Sequence, residues 1–117
     1  MARPHKCRRV CMLPRARVFS ADGASCSEII SIEELEAVRL CDLESLSQDE
    51  AARRMNVSRG TFQRILYAAR KKIAAALCQG HDLEIRGGNY EVAQEICTCT
   101  RRCRNCRLDE KERINHE

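Results

Sequence analysis

The fold class this sequence predicts is mainly α: three helices over residues 29–80, then a short β-hairpin (81–96) and a cysteine-rich tail (97–117), all preceded by a basic arm (1–28). Three observations predict it. Serine-led helix starts recur at Ser31, Ser47 and Ser58, and the residues after them repeat apolar side chains at helical spacing. The chain holds only four rings, Phe19, Phe62, Tyr67 and Tyr90, so its core must be small and aliphatic, which suits helix stripes. At 117 residues there is room for one compact domain and a tail.

Taken in order, residues 1–28 hold two prolines, a glycine and scattered bases, and read as an irregular arm; Ile29 and Ile30 suit a short strand. Ser31-Ile32-Glu33-Glu34 matches a capping box. Leu35, Val38 and Leu43 supply the first helix's apolar stripe, with Glu33, Glu36 and Asp42 on a solvated side turned away from any polyanion. Ser47-Gln48-Asp49-Glu50 is a second capping box behind Leu46, and its helix runs to Met55. Asn56 tolerates a left-handed backbone and ends that helix sharply. Ser58 caps the third helix, which extends to about Cys78 before Gly80, with Phe62, Ile65, Leu66, Ala69, Ile73 and Leu77 on its core stripe. Leu83–Val92 alternates apolar and polar residues around Gly87-Gly88, the pattern of a hairpin.

The stretch Gln48–Leu66 carries the strongest functional signal. A helix-turn-helix needs small residues where its helices cross, a left-handed turn and apolar anchors on both sides. Ala51 and Ala52, then Asn56 between Met55 and Val57, then Phe62 and Ile65 meet those demands in register. Recognition helices read base edges with residues near their amino end, which selects Arg59, Gln63 and Arg64: arginine can pair with guanine and glutamine with adenine. Gly60 allows close approach, and Thr61 either meets a phosphate or supports the first turn. Lys71 suits a phosphate contact, as do Arg53 and Arg54 on the preceding helix. Arg3, Lys6, Arg8 and Arg9 could reach a neighbouring groove.

Charge agrees with this placement. Residues 1–21 carry six bases and no acid, residues 22–46 seven acids against Arg39, and residues 47–78 seven bases against Asp49 and Glu50. Alternating blocks within a net charge of +4 imply one basic face, the footprint of phosphate backbones. So few rings argue against a stacking platform for single strands.

The residues that carry these signals resemble a prokaryotic UPF-series family, domain-of-unknown-function family one-three-four. The resemblance rests on Arg3-Pro4 and the bases after it, on Glu34–Leu40, on Leu46–Ala52, and above all on Val57–Leu66 followed by Ala69–Ile73, continuing to Gly87–Tyr90. The helical part is also similar to the DNA-binding fourth region of bacterial sigma factors, which implies promoter-like duplex DNA as ligand and a role in transcription. Some members of the family are joined to a domain resembling iron–molybdenum cofactor-binding proteins, which implies metal or iron–sulfur biology.

The chain has nine cysteines, and its basic amino terminus is followed by no apolar signal segment or membrane span. A cytoplasmic protein with thiols free or bound to metal is expected. Cys97, Cys99, Cys103 and Cys106 place four soft ligands within ten residues, enough for zinc or an iron–sulfur cluster, and the arginines between them favour thiolates. Cys7 and Cys11 form a second, weaker pair that could complete a shared site with the tail but reads rather as two free thiols in a mobile arm. Cys41 and Cys78 read as small core residues.

No phosphate-cradling loop or supported nucleophile set is present, and Cys103-Arg104-Asn105-Cys106 lacks the βαβ context of a redox enzyme, so no enzymatic turnover is expected. The expected function is a sequence-specific duplex-DNA-binding regulator of transcription, metal- or redox-responsive through its tail. It is expected to act as a homodimer joined through the hairpin. The alternative is a metal-binding or protein-interaction module without DNA readout.

Overall fold

The computed structural model describes residues 8–93. Cys7 and the four tail cysteines therefore lie outside the described residues, as do Arg3 and Lys6. The elements run β1 (Arg8–Val10), β2 (Val18–Phe19), β3 (Ser27–Ile30), α1 (Ile32–Val38) continued by a π-helical turn (Arg39–Leu43), α2 (Gln48–Met55), α3 (Arg59–Gln79), β4 (Asp82–Ile85) and β5 (Tyr90–Val92). The mainly helical expectation with short strands holds for these residues.

The helix starts form as local chemistry dictates. Ser31 Oγ accepts from the Glu34 amide at 3.2 Å and Glu34 Oε1 accepts from the Ser31 amide at 3.0 Å, a complete reciprocal box. At Ser47 only half forms: its Oγ accepts from the Glu50 amide at 3.1 Å, while the Glu50 carboxylate turns to Arg53. Asn56 is left-handed (φ 61°) and closes α2 by donating its amide to Ala52 and Arg53 carbonyls, and Gly80 (φ 71°) closes α3 in the same way onto Ala76.

Packing unites α1, α2 and α3 around Ala37, Leu40, Leu46, Ala51, Ala52, Met55, Phe62 and Leu66, all buried. Ala51 and Ala52 are small where α2 lies against α3, so the two backbones come close. Leu43 departs from expectation and is exposed. Within the π-helical turn the Glu44 amide reaches back five residues to Arg39 O (2.9 Å), which rotates the apolar stripe and turns Leu40 inward instead. Leu77 and Cys78, expected on the core side, are exposed as well.

The strands correct two expectations. The first concerns the hairpin. β4 and β5 do not pair with each other; β4 lies between β2 (antiparallel) and β3 (parallel), and β5 pairs in parallel with β1, Arg8 opposite Tyr90 and Val10 opposite Val92. The alternation of Leu83–Val92 was a true strand signal, but Gly87-Gly88 serve another end. Gly87 O accepts the Ile32 amide at 3.0 Å, capping the start of α1, and a Cβ on Gly88 (φ 114°) would collide with the Glu33 carboxylate. That carboxylate accepts the Asn89 amide at 2.7 Å.

The second correction concerns residues 8–28, which are not an arm. Val10 and Cys11 are buried, Val10 O accepts the Ala93 amide at 2.8 Å, and β1 and β5 pair beneath Ile32 and Ile85. Cys11 is thus a buried core thiol rather than one in a mobile segment. Arg8 and Arg9 are likewise held: Arg8 pairs with Glu33 at 3.6 Å, and Arg9 Nε donates to Arg54 O at 3.1 Å.

Candidate nucleic-acid interface

Helix α3 holds five bases (Arg59, Arg64, Arg70, Lys71, Lys72) and no acid in 21 residues. Its core side is Phe62, Leu66, Ala69 and Ala76, and the opposite stripe exposes Gly60, Arg64, Tyr67 and Lys71. The stripe follows from spacing alone, because residues three and four apart share a helix face.

The first turn is pre-set. Ser58 Oγ accepts the Thr61 amide at 3.2 Å and donates to Thr61 Oγ1 at 3.0 Å, and Arg64 donates to the same oxygen at 3.3 Å. Of the two roles open to Thr61 from sequence, the structure fills the turn-supporting one. Gly60 faces open space, so nothing in the fold stands between its backbone and a ligand. Gln63 is half-buried and donates from Nε2 to Tyr67 Oη at 3.1 Å.

The cations differ in how firmly each is held. Arg59 lies 3.4 Å from Asp49, both side chains about 60% exposed, a pair of small worth in water. Arg70 grips Asp42 through two nitrogens at 2.8 and 3.2 Å, and this hydrogen bonding raises the guanidinium further above its usual range. Lys72 reaches Glu34 at 2.8 Å, tying α3 to the capping box of α1. Arg64 has no acidic partner and Lys71 no hydrogen bond or ion pair among the described residues. Charge compensation by residues 22–46 therefore spares Arg64 and Lys71, the two cations of the exposed stripe.

Two expectations about side chains are corrected here. Arg54 is buried, and its guanidinium meets Cys11 Sγ at 2.6 Å, so it ties α2 to the residue that follows β1 and is not placed for a phosphate. Arg53, one residue away, is exposed and keeps that possibility, with Glu50 as its present partner. Nor do Glu33 and Glu36 form a solvated acidic side. Glu36 is buried, receives Arg39 through Nε and a terminal nitrogen at 2.8 Å each, and accepts the Cys11 amide at 2.9 Å. Glu44 closes the cluster 3.5 Å from Arg39. Sequence reasoning also passed over Tyr67 as a contact residue. Its ring sits exposed on the stripe with the Arg70 guanidinium 5.9 Å from its centre, and the available signal was its spacing from Gln63 and Arg64.

Among the described residues no group of three or more His, Cys, Asp or Glu could hold a metal ion, and no helix is long and apolar enough to cross a membrane. The four tail cysteines lie outside this description.

Residues 1–93 match the family described as "Protein of unknown function DUF134". Similar relatives include a "UPF0251 protein" of Caldicellulosiruptor saccharolyticus, 52% identical over 107 residues (91% of this chain, 74% of the relative). Another, from Ruminiclostridium cellulolyticum, is 48% identical over 108 residues (92% and 85%). A third, from Dehalococcoides mccartyi, is 44% identical over 113 residues (93% and 96%). No solved structure gives a significant match.

Proposed function

The chain belongs to the DUF134 family, and from the geometry of α2 and α3 we propose that it is a sequence-specific duplex-DNA-binding protein that regulates transcription in the cytoplasm. In this reading α2, the Asn56 turn and α3 form a helix-turn-helix, and α3 enters the major groove amino end first. One observation carries the reading: the exposed stripe of α3 presents Gly60, Arg64, Tyr67 and Lys71 with no acid on the helix and no acidic partner for Arg64 or Lys71. A folded domain that neutralises Arg59, Arg70 and Lys72 internally but leaves these two uncompensated has a ready contact for a polyanion.

Arg59, Gln63 and Arg64 read base edges, whereas Lys71, Arg53 and Tyr67 meet the backbone. Thr61 stiffens the first turn. The action is binding, with no turnover, and the tail cysteines supply a zinc or iron–sulfur site that makes it responsive to metal or oxidant.

The test is equilibrium binding of the full chain to duplex DNA across a salt series. Lys71 and Arg53, two phosphate-neutralising cations per chain and four in a dimer, predict that log K falls against log salt with a slope of about −1.8 to −3.6. Duplex binding that is absent, or insensitive to salt, overturns the reading in favour of a protein-interaction module.

A further inference from the structure

At the carboxyl end of α3, remote from the basic stripe's reading end, the helix and the β2–β4 sheet enclose an open groove of about 450 Å³. Phe19, Ile73, Ala76, Leu77 and Leu83 give it its apolar character, and no Asp, Glu, Lys or Arg lines it. Leu77, on the rim, is 79% exposed, and Phe19, on the facing wall, 55%. A large apolar side chain standing in water beside an apolar hollow is an unusual expense on a folded surface and marks an interaction site.

We propose that this groove is the self-association surface of the protein, occupied by a second copy in a two-fold arrangement that seats each Leu77 in the partner's groove. Shape comes first. An isologous interface must be complementary to itself, and here the projection and the hollow lie side by side on one patch, as two-fold symmetry requires. Charge comes second. No Asp, Glu, Lys or Arg lines the patch, and its titratable lining residue, His81, is engaged by the Glu28 carboxylate at 2.9 Å, so two copies meet there without like-charge repulsion, whereas the Arg64–Lys71 stretch of the same helix would repel its own copy. The rest of the chain is a poor occupant: eleven of the 24 residues in 94–117 are Asp, Glu, Lys or Arg, and residues 1–7 carry Arg3 and Lys6.

The position also suits the reading proposed above, although the inference does not depend on it. Gly60 and Leu77 are 17 residues apart on one helix, about 26 Å at 1.5 Å per residue. Two such arms joined at their Leu77 ends can hold their amino ends up to about 52 Å apart, which includes the roughly 34 Å between successive major grooves on one side of DNA. The strands β4 and β5, which belong to different sheets, offer no hairpin for this purpose.

The test is sedimentation of the full chain without DNA, in reducing buffer so that no disulfide mimics a dimer, over about 1 to 300 μM. The wild type should pass from monomer to dimer across that range. Leu77→Glu should raise the dissociation constant roughly 30-fold or more, since each copy then carries a charge into the other's groove, with the thermal transition unchanged. Should Leu77→Glu fail to fold, Phe19→Ser decides by the same criterion. Arg64→Ala should dimerise like the wild type. A wild type that stays monomeric, or a folded groove variant that dimerises as tightly as it does, overturns the inference; loss of DNA binding with dimerisation intact bears only on the DNA reading.

Discussion

Replacing Arg64 with alanine removes the one arginine of α3 that has no acidic partner among the described residues. Its contact with Thr61 Oγ1 is long, 3.3 Å, and solvent-exposed, so releasing it costs a small part of the ~0.5–1.5 kcal/mol of an ordinary hydrogen bond. A bidentate arginine–guanine pair discriminates against the wrong base by about 1–3 kcal/mol, or roughly 5- to 150-fold, and on the proposed DNA-binding reading nearly all of that should be expressed at Arg64. Arg59 must first leave Asp49, an exposed pair worth about 0.2–1 kcal/mol, so Arg59→Ala should cost correspondingly less. Lys71→Ala removes a point charge that reads no base. It should weaken all duplexes alike and make the salt slope shallower by about 0.9. The assay is fluorescence anisotropy on a duplex selected by the wild-type chain from a random pool, against a scrambled duplex, at several salt concentrations. Arg64→Ala should collapse the ratio of the two affinities, and Lys71→Ala should leave it in place. If Arg64→Ala keeps the wild-type ratio within about twofold while Lys71→Ala alters it, the orientation of α3 argued here is wrong.

Other expectations follow from the same contacts. Glu36→Ala strands the buried Arg39 guanidinium and the Cys11 amide and should cost about 3–5 kcal/mol in urea unfolding; a loss below about 1 kcal/mol would count against the buried cluster. Burial, with Asp42 adding to it and Arg70 opposing, pushes the Cys41 thiol up. The unfolded chain therefore ionises first, and stability falls as pH climbs from the ordinary thiol range through the raised folded value; the fall in urea midpoint should be smaller in Cys41→Ala, and equal declines would refute the assignment. Full chain purified without oxygen should carry stoichiometric zinc or iron that is lost when Cys97, Cys99, Cys103 and Cys106 become serine, and metal-free wild type would remove the tail site.

Much of the helical layout was legible because its determinants are local. Ser31, Ser47 and Ser58 bond amides three residues ahead, Asn56 and Gly80 adopt left-handed backbone by their own stereochemistry, and Phe62, Leu66 and Ala69 share a face by helical pitch. The exposed stripe of α3, and with it Gly60, Arg64 and Lys71, comes from the same periodicity. What the chain could not announce is partnership over distance. Gly87-Gly88 looks like a hairpin turn until Glu33, 55 residues upstream of Gly88, occupies the space a side chain would need. Arg54 and Glu36 look like surface charges until Cys11 and Arg39 bury them, and the fates of Arg59 and Arg70 hang on Asp49 and Asp42 in other elements. Short-range hydrogen bonds and helical pitch are written within a few residues, whereas strand pairing and charge burial depend on which remote segments the collapsed core brings together, and only the tertiary structure decided those.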